Sequence, residues 1–124
     1  MKIFNDEAPI YLQLRKHIEE LILDRALSEE AAIPSIRIMA RDYELNPITV
    51  GNALSSLVDE GVLYKKRGVG IFVSRGAREL IISERGKDFI TDSLKPVLKK
   101  ARQLELAREE VIELTNSIYG GKDE

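Results

Sequence analysis

The 124-residue chain contains no cysteine, which excludes disulfides and thiolate metal sites and leaves a reducing cytosol permitted. Histidine occurs once, as His17. Glu20 stands three residues on and could complete half of a metal pair, but one histidine without ligands from elsewhere makes no site, so His17 reads as a surface residue. A second histidine for base work, a Gly-x-Ser-x-Gly elbow and a phosphate loop are all missing. Gly68-Val69-Gly70 lacks the third glycine and the strand-to-helix setting of a dinucleotide site. The expectation is a protein that is not an enzyme and carries neither metal nor cofactor. No apolar run approaches the roughly 18 residues of a membrane span, and Asp6 and Glu7 stand where a secretory signal would be apolar. A cytoplasmic location without a membrane partner is expected. Lysine and arginine are also missing from Asp42 through Tyr64.

What is present is ordinary for a small soluble protein: 44% hydrophobic residues, 32% charged residues and a net charge of -2. A first helix is expected over about Ile10 to Arg25, with Ile10, Leu14, Ile18, Leu21 and Ile22 on one face. Ser35 precedes a second short helix as an N-cap would, and Ile36, Met39, Ala40 and Tyr43 recur there at helical spacing. Asn46-Pro47 signals a third start, because asparagine caps well and proline loses nothing at the first helical position. Val50, Ala53, Leu54, Leu57 and Val58 then form a buried stripe, and Gly61 marks the stop. The opposite face comprises Ile48, Thr49, Gly51, Asn52, Ser55, Ser56 and Asp59. Such a small, largely polar face suits insertion into a DNA groove, although any solvated helix face looks similar.

Two β-prone runs follow, Val62 to Lys66 and Ile71 to Ser74, separated by Arg67-Gly68-Val69-Gly70. The glycines permit a tight turn and a close approach of backbone to phosphate. From Gly61 to Arg78 the chain carries Lys65, Lys66, Arg67, Arg75 and Arg78 and no acidic residue, a local charge of +5 that marks a polyanion footprint. The fold expected is mainly α with a small β-wing: a winged helix-turn-helix over residues 1–75, followed by a two-helix tail over 76–124.

These residues resemble the GntR family of bacterial transcription regulators. The match runs through Pro9-Ile10-Tyr11 and Gln13, Pro34-Ser35 with Arg37 and Ala40, Asn46-Pro47 with Thr49-Val50 and Ala53-Leu54, and Glu60-Gly61 with Gly68, Gly70, Phe72 and Val73. It departs from the family at Gly51, where members usually carry a basic residue, and over Arg25–Ala32, where they usually have glycines and a proline. The short tail is similar to that of the YtrA-like branch. The resemblance implies a dimer that touches double-stranded DNA through Arg37, the start of the third helix and the wing.

The expected DNA-binding set is Ser35 and the adjacent helix start for a phosphate, Arg37 and Arg41 for the groove edge, and Asn46, Thr49 and Asn52 at the reading helix. Asparagine pairs bidentately with adenine. Lys65, Lys66, Arg67, Gly68 and Gly70 complete the set in the wing. In the tail, Leu80 and Ile81 open an apolar series that continues through Phe89, Ile90, Leu94, Val97, Leu98 and Ala101, with Pro96 expected to kink it. Ala107, Val111, Leu114 and Ile118 form a second series. Two amphipathic helices on so small a domain cannot bury both stripes alone, so a homodimer through Phe89, Leu94, Val97, Leu98, Ala101, Val111, Leu114 and Ile118 is expected; a monomeric hairpin folded on the winged helix is the other reading. A small-molecule effector is possible in such a regulator but unidentified, and it would need a place outside any single tail. The functional expectation is a homodimeric, sequence-specific repressor, with a winged-helix protein-interaction adaptor as the rival.

Overall fold

The computed structural model describes residues 3–122. The outer ends of both expected domains therefore lie outside the described residues. The first helix, α1 (Ile10–Leu23), buries Leu14, Ile18 and Ile22. It stops short of Arg25, which adopts a left-handed φ of 62°. The amides of Ala26 and Leu27 both donate to the Leu21 carbonyl, at 2.8 and 3.1 Å, closing the helix end without a glycine. At the other end Gln13 anchors the chain that leads into α1. Its Nε2 donates to the carbonyls of Asn5 and Ala8, each at 2.8 Å, and its Oε1 accepts from the Asn5 amide at 3.1 Å.

Helix α2 (Ile36–Tyr43) starts where Ser35 Oγ accepts from the Ile38 amide, 3.2 Å away. Helix α3 (Pro47–Asp59) starts where Asn46 Oδ1 accepts from the Ile48 amide, 2.8 Å away. Both caps satisfy amides that helix geometry leaves without partners. Glu44 takes the left-handed conformation that ends α2, with a φ of 57°. The third helix buries Val50, Ala53, Leu54 and Leu57, while Val58 is half-buried and Gly61, at a φ of 81°, turns the chain into the wing.

The wing pairs β1 (Leu63–Lys66) antiparallel with β2 (Gly70–Val73), from Leu63 opposite Val73 to Lys66 opposite Gly70. Gly68 takes the tight turn at a φ of 75°. The other edge of β2 is covered by the loop that departs from the family pattern. The Glu30 amide donates to the Val73 carbonyl at 2.7 Å, the Val73 amide to the Ala31 carbonyl at 3.0 Å, and the Ile33 amide to the Ile71 carbonyl at 2.9 Å. The loop thus protects a strand edge.

Helix α4 (Ala77–Phe89) inserts Ala77 and Ile81 into the same core as α1, α3 and the wing. The chain clusters into two compact units, one ending at Ser83 and one beginning at Glu84. The first runs past residue 75 because Ala77 and Ile81 are core residues of the winged helix. In the second, Pro96 does not end the helix. A π segment (Ile90–Leu94) precedes α5 (Lys95–Gln103), with the Lys95 amide bonded to the Ile90 carbonyl five residues back. The wider turn accommodates a ring that would clash with an ordinary helical turn. The last helix is α6 (Arg108–Tyr119).

Gly51 has no steric reason to be glycine within this fold. A Cβ built there would lie 3.8 Å from Ile36 Cδ1, an ordinary contact, and the position is interior to α3. Gly51→Ala should therefore raise stability by about 1 kcal/mol through helix propensity. Urea unfolding of the two proteins checks this, and an unchanged or lower midpoint would contradict the fit.

Candidate nucleic-acid interface

The packing of α3 decides which side chains remain outside. Its apolar stripe faces the core, and Arg15 of α1 fixes the remaining rotation. The Arg15 guanidinium donates to Ser56 Oγ at 2.8 Å and pairs with the Glu60 carboxylate. Ser56, expected on the outward face, is thus turned toward α1 and half-buried. Asn52 and Ser55 remain exposed, Thr49 is half-buried, and Ile48 is 72% exposed.

Asn52 and Ser55 share a groove of about 380 Å³ with Ile36, Gly51 and Lys65. The structure therefore brings two of the expected site residues, Asn52 of α3 and Lys65 of the wing, to one concavity. Asp59 also lines it, so the groove carries a carboxylate beside its lysine.

Around the wing turn Lys65, Lys66 and Arg67 are all exposed. Lys66 Nζ lies 5.2 Å from the centre of the Phe72 ring, which stacks on Tyr64 at 5.6 Å. This stack holds the Lys66 ammonium over an aromatic face. Of the rest of the +5 run, Arg78 Nε donates to the Leu23 carbonyl at 2.9 Å, tying α4 to the end of α1, while Arg75 meets Glu30 at 3.3 Å in an exposed pair that costs little to exchange. Lys65, Lys66 and Arg67 are the cations that stand together at the wing tip.

Arg37 and Arg41 are exposed on α2. Arg41 Nε meets Asp42 Oδ1 at 3.1 Å, with both side chains more than half exposed, a pairing that costs little to exchange. Ser35 and Asn46 each accept a cap bond at the side-chain oxygen, and the donors they keep for a ligand are the Ser35 hydroxyl hydrogen and the Asn46 amide nitrogen.

His17 is not a plain surface residue. Its Nε2 lies 3.1 Å from the Tyr43 hydroxyl, and the ring meets Phe4 and Tyr43 edge-on. Burial, and then the Asp42 carboxylate, push the Tyr43 phenol above its ordinary value. The cluster joins α1 to α2, a role that sequence spacing does not signal because Phe4 and Tyr43 are distant in the chain. No group of three side chains suited to a metal converges among the described residues.

The tail is the opposite of the core. No described residue beyond Ile81 is buried. Phe89, Leu94, Val97, Leu98, Leu114 and Ile118 are all exposed, with Val97 at 62%. Ala101 and Val111 are half-buried and line, with Leu98, Leu106 and Ile112, an open groove of about 480 Å³ between α5 and α6. Ile90, Leu104, Leu106, Ile112 and Tyr119 add exposed apolar surface.

A three-helix core with a two-stranded, cation-tipped hairpin defines the class as a winged helix-turn-helix transcription regulator. The family model described as "Bacterial regulatory proteins, gntR family" matches residues 10–73. YtrA of Bacillus subtilis, a transcriptional repressor, is 30% identical over 118 residues, covering 92% of this chain and 90% of that protein. The repressor NagR of Bacillus subtilis is 38% identical over 71 residues, which are 57% of this chain but only 29% of NagR. A GntR-family structure from Bacteroides thetaiotaomicron superposes with a TM-score of 0.69 at 31% identity, over 92% of this chain and 99% of that one. The chain belongs to the GntR family, and it spans nearly the whole of YtrA while matching less than a third of NagR.

Proposed function

We propose that the chain is a homodimeric repressor that recognises a palindromic operator through α3 and the wing. The observation that supports the dimer is the tail: Phe89, Leu94, Val97, Leu98, Leu114 and Ile118 are exposed and no described residue beyond Ile81 is buried, and a second copy offers the same stripes to them. A two-fold dimer sets two reading helices about 34 Å apart on one DNA face. That the relatives YtrA and NagR are transcriptional repressors supports repression.

In this reading Ser35 and the start of α2 hold one phosphate, and Arg37 and Arg41 lie at the groove edge. Thr49 and Asn52 read bases, with Asn46 beside them. Lys65, Lys66, Arg67 and the Gly68 and Gly70 backbone grip the sugar-phosphate chain or the minor groove. With no lysine or arginine between Asp42 and Tyr64, discrimination rests on uncharged groups and on DNA shape. The acidic balance of the chain favours the adaptor reading instead, in which DNA binding shows no sequence preference.

Competition binding against single-base operator variants separates the roles. Asn52→Ala should lose about 1 to 3 kcal/mol at one base pair of each half-site and leave non-specific binding nearly intact. Replacing Lys65 and Lys66 by alanine should weaken all sequences and flatten the slope of log K against log salt by about 0.9 per lost phosphate contact. Asn52→Ala with the wild-type preference at every position would remove Asn52 from the reading set, and an unchanged slope in the lysine variant would make those lysines structural.

The tail requires a cut that spares the core. A chain ending at Ser83 keeps the buried Ala77 and Ile81 and loses the exposed stripes. It should sediment as a monomer where the full chain is a dimer, and bind a palindrome far more weakly because the two half-sites are no longer linked. A dimeric truncated chain would place the interface elsewhere.

A further inference from the structure

We propose that Ile48 is a specificity-determining residue whose side chain packs on the C5 methyl of a thymine in the major groove. This deepens the reading above and rests on α3 being the element that enters DNA.

At 72% exposure Ile48 is the most exposed of the large aliphatic side chains among the described residues. A lone exposed aliphatic is common on protein surfaces, so exposure by itself decides nothing. Its position does. Ile48 is outside the stripe of Val50, Ala53, Leu54 and Leu57 that builds the core, and it is remote in sequence from the apolar series of the tail. The bond from its amide to Asn46 Oδ1 fixes it in the first turn of α3. Asn52 and Ser55 follow at i+4 and i+7, so the three lie on one exposed face. At i+3 stands Gly51, which offers no side chain to shield Ile48.

The N-terminal part of this face, Ile48, Asn52 and Ser55, matches the chemistry of one particular surface, while Asp59 stands at its far end, at the close of α3. In the major groove an adenine offers the donor and acceptor that asparagine pairs with, and thymine carries the apolar C5 methyl on its edge. Water leaves both apolar surfaces when they meet. Side chains four residues apart on a helix have Cβ atoms about 5–6 Å from one another, and stacked bases rise about 3.4 Å per step. The thymine touched by Ile48 therefore lies one to two steps from the base read by Asn52.

Deoxyuridine differs from thymidine only by this methyl, so it isolates the contact. A duplex is first selected by the full-length protein from a random-sequence library, and each thymine is then replaced singly by deoxyuridine. The wild type should lose about fourfold in affinity at one thymine of each half-site, the value of one methyl-sized group removed from water. That thymine should lie one to two steps from the position where Asn52→Ala loses its preference. Ile48→Ala should bind the parent duplex about as weakly as the wild type binds the deoxyuridine form, and should show no further loss there. A wild type insensitive to every replacement, or an Ile48→Ala variant as sensitive as the wild type, would overturn the assignment while leaving sequence-specific binding in place. A library from which no sequence is enriched would overturn both this assignment and sequence-specific reading.

Discussion

The contact between α1 and α3 governs the rest of the molecule. Leu14, Ile18 and Ile22 meet Val50, Ala53, Leu54 and Leu57 in one core cluster, and all seven are almost fully buried. Truncating one of these leucines or isoleucines to alanine typically costs about 2–5 kcal/mol. The same contact fixes the rotation of α3, and with Arg15 bound to Ser56 and Glu60 it leaves Ile48, Asn52 and Ser55 pointing outward. The outward chemistry of α3 is therefore a consequence of how its inward side packs.

The wing and the tail divide the remaining work. The wing is small, and its edge is protected by the Glu30–Ile33 backbone while its cations cluster at the turn. No described residue of the tail beyond Ile81 is buried, and its exposed leucines, valines and isoleucines form apolar surface of the kind that marks interaction sites. Pairing of two chains through the tail would join two weak half-site contacts into one strong one, which links the apolar surface at one end of the sequence to DNA recognition at the other.

Much of this was legible in the residues themselves. Ser35 and Asn46-Pro47 fix two helix starts by local chemistry, and the i, i+3, i+4 stripe of α3 fixes its buried face, because caps and periodicity act within a few residues. The wing was readable for the same reason. Contacts between distant segments were not. The half-buried His17 depends on Phe4 and Tyr43, the inward turn of Ser56 depends on Arg15, and the pairing of Arg75 depends on Glu30 across 45 residues. Pro96 signals a disturbance, but only the backbone shows that a π segment absorbs it. Ile48 was visible as the one aliphatic residue on an otherwise small and polar face; its significance appears once the exposure of that face is known.

In the reading proposed above, α3 and the wing together form the surface that meets DNA. Amide chemical-shift mapping of the isotopically labelled full chain, titrated with a selected duplex, tests this. Perturbations concentrated over residues 46–55 and 65–70 are expected, with smaller ones near Ser35 and Arg37. Perturbations confined to the tail or to the His17–Tyr43 cluster, with α3 and the wing tip unmoved while DNA is bound, would contradict it.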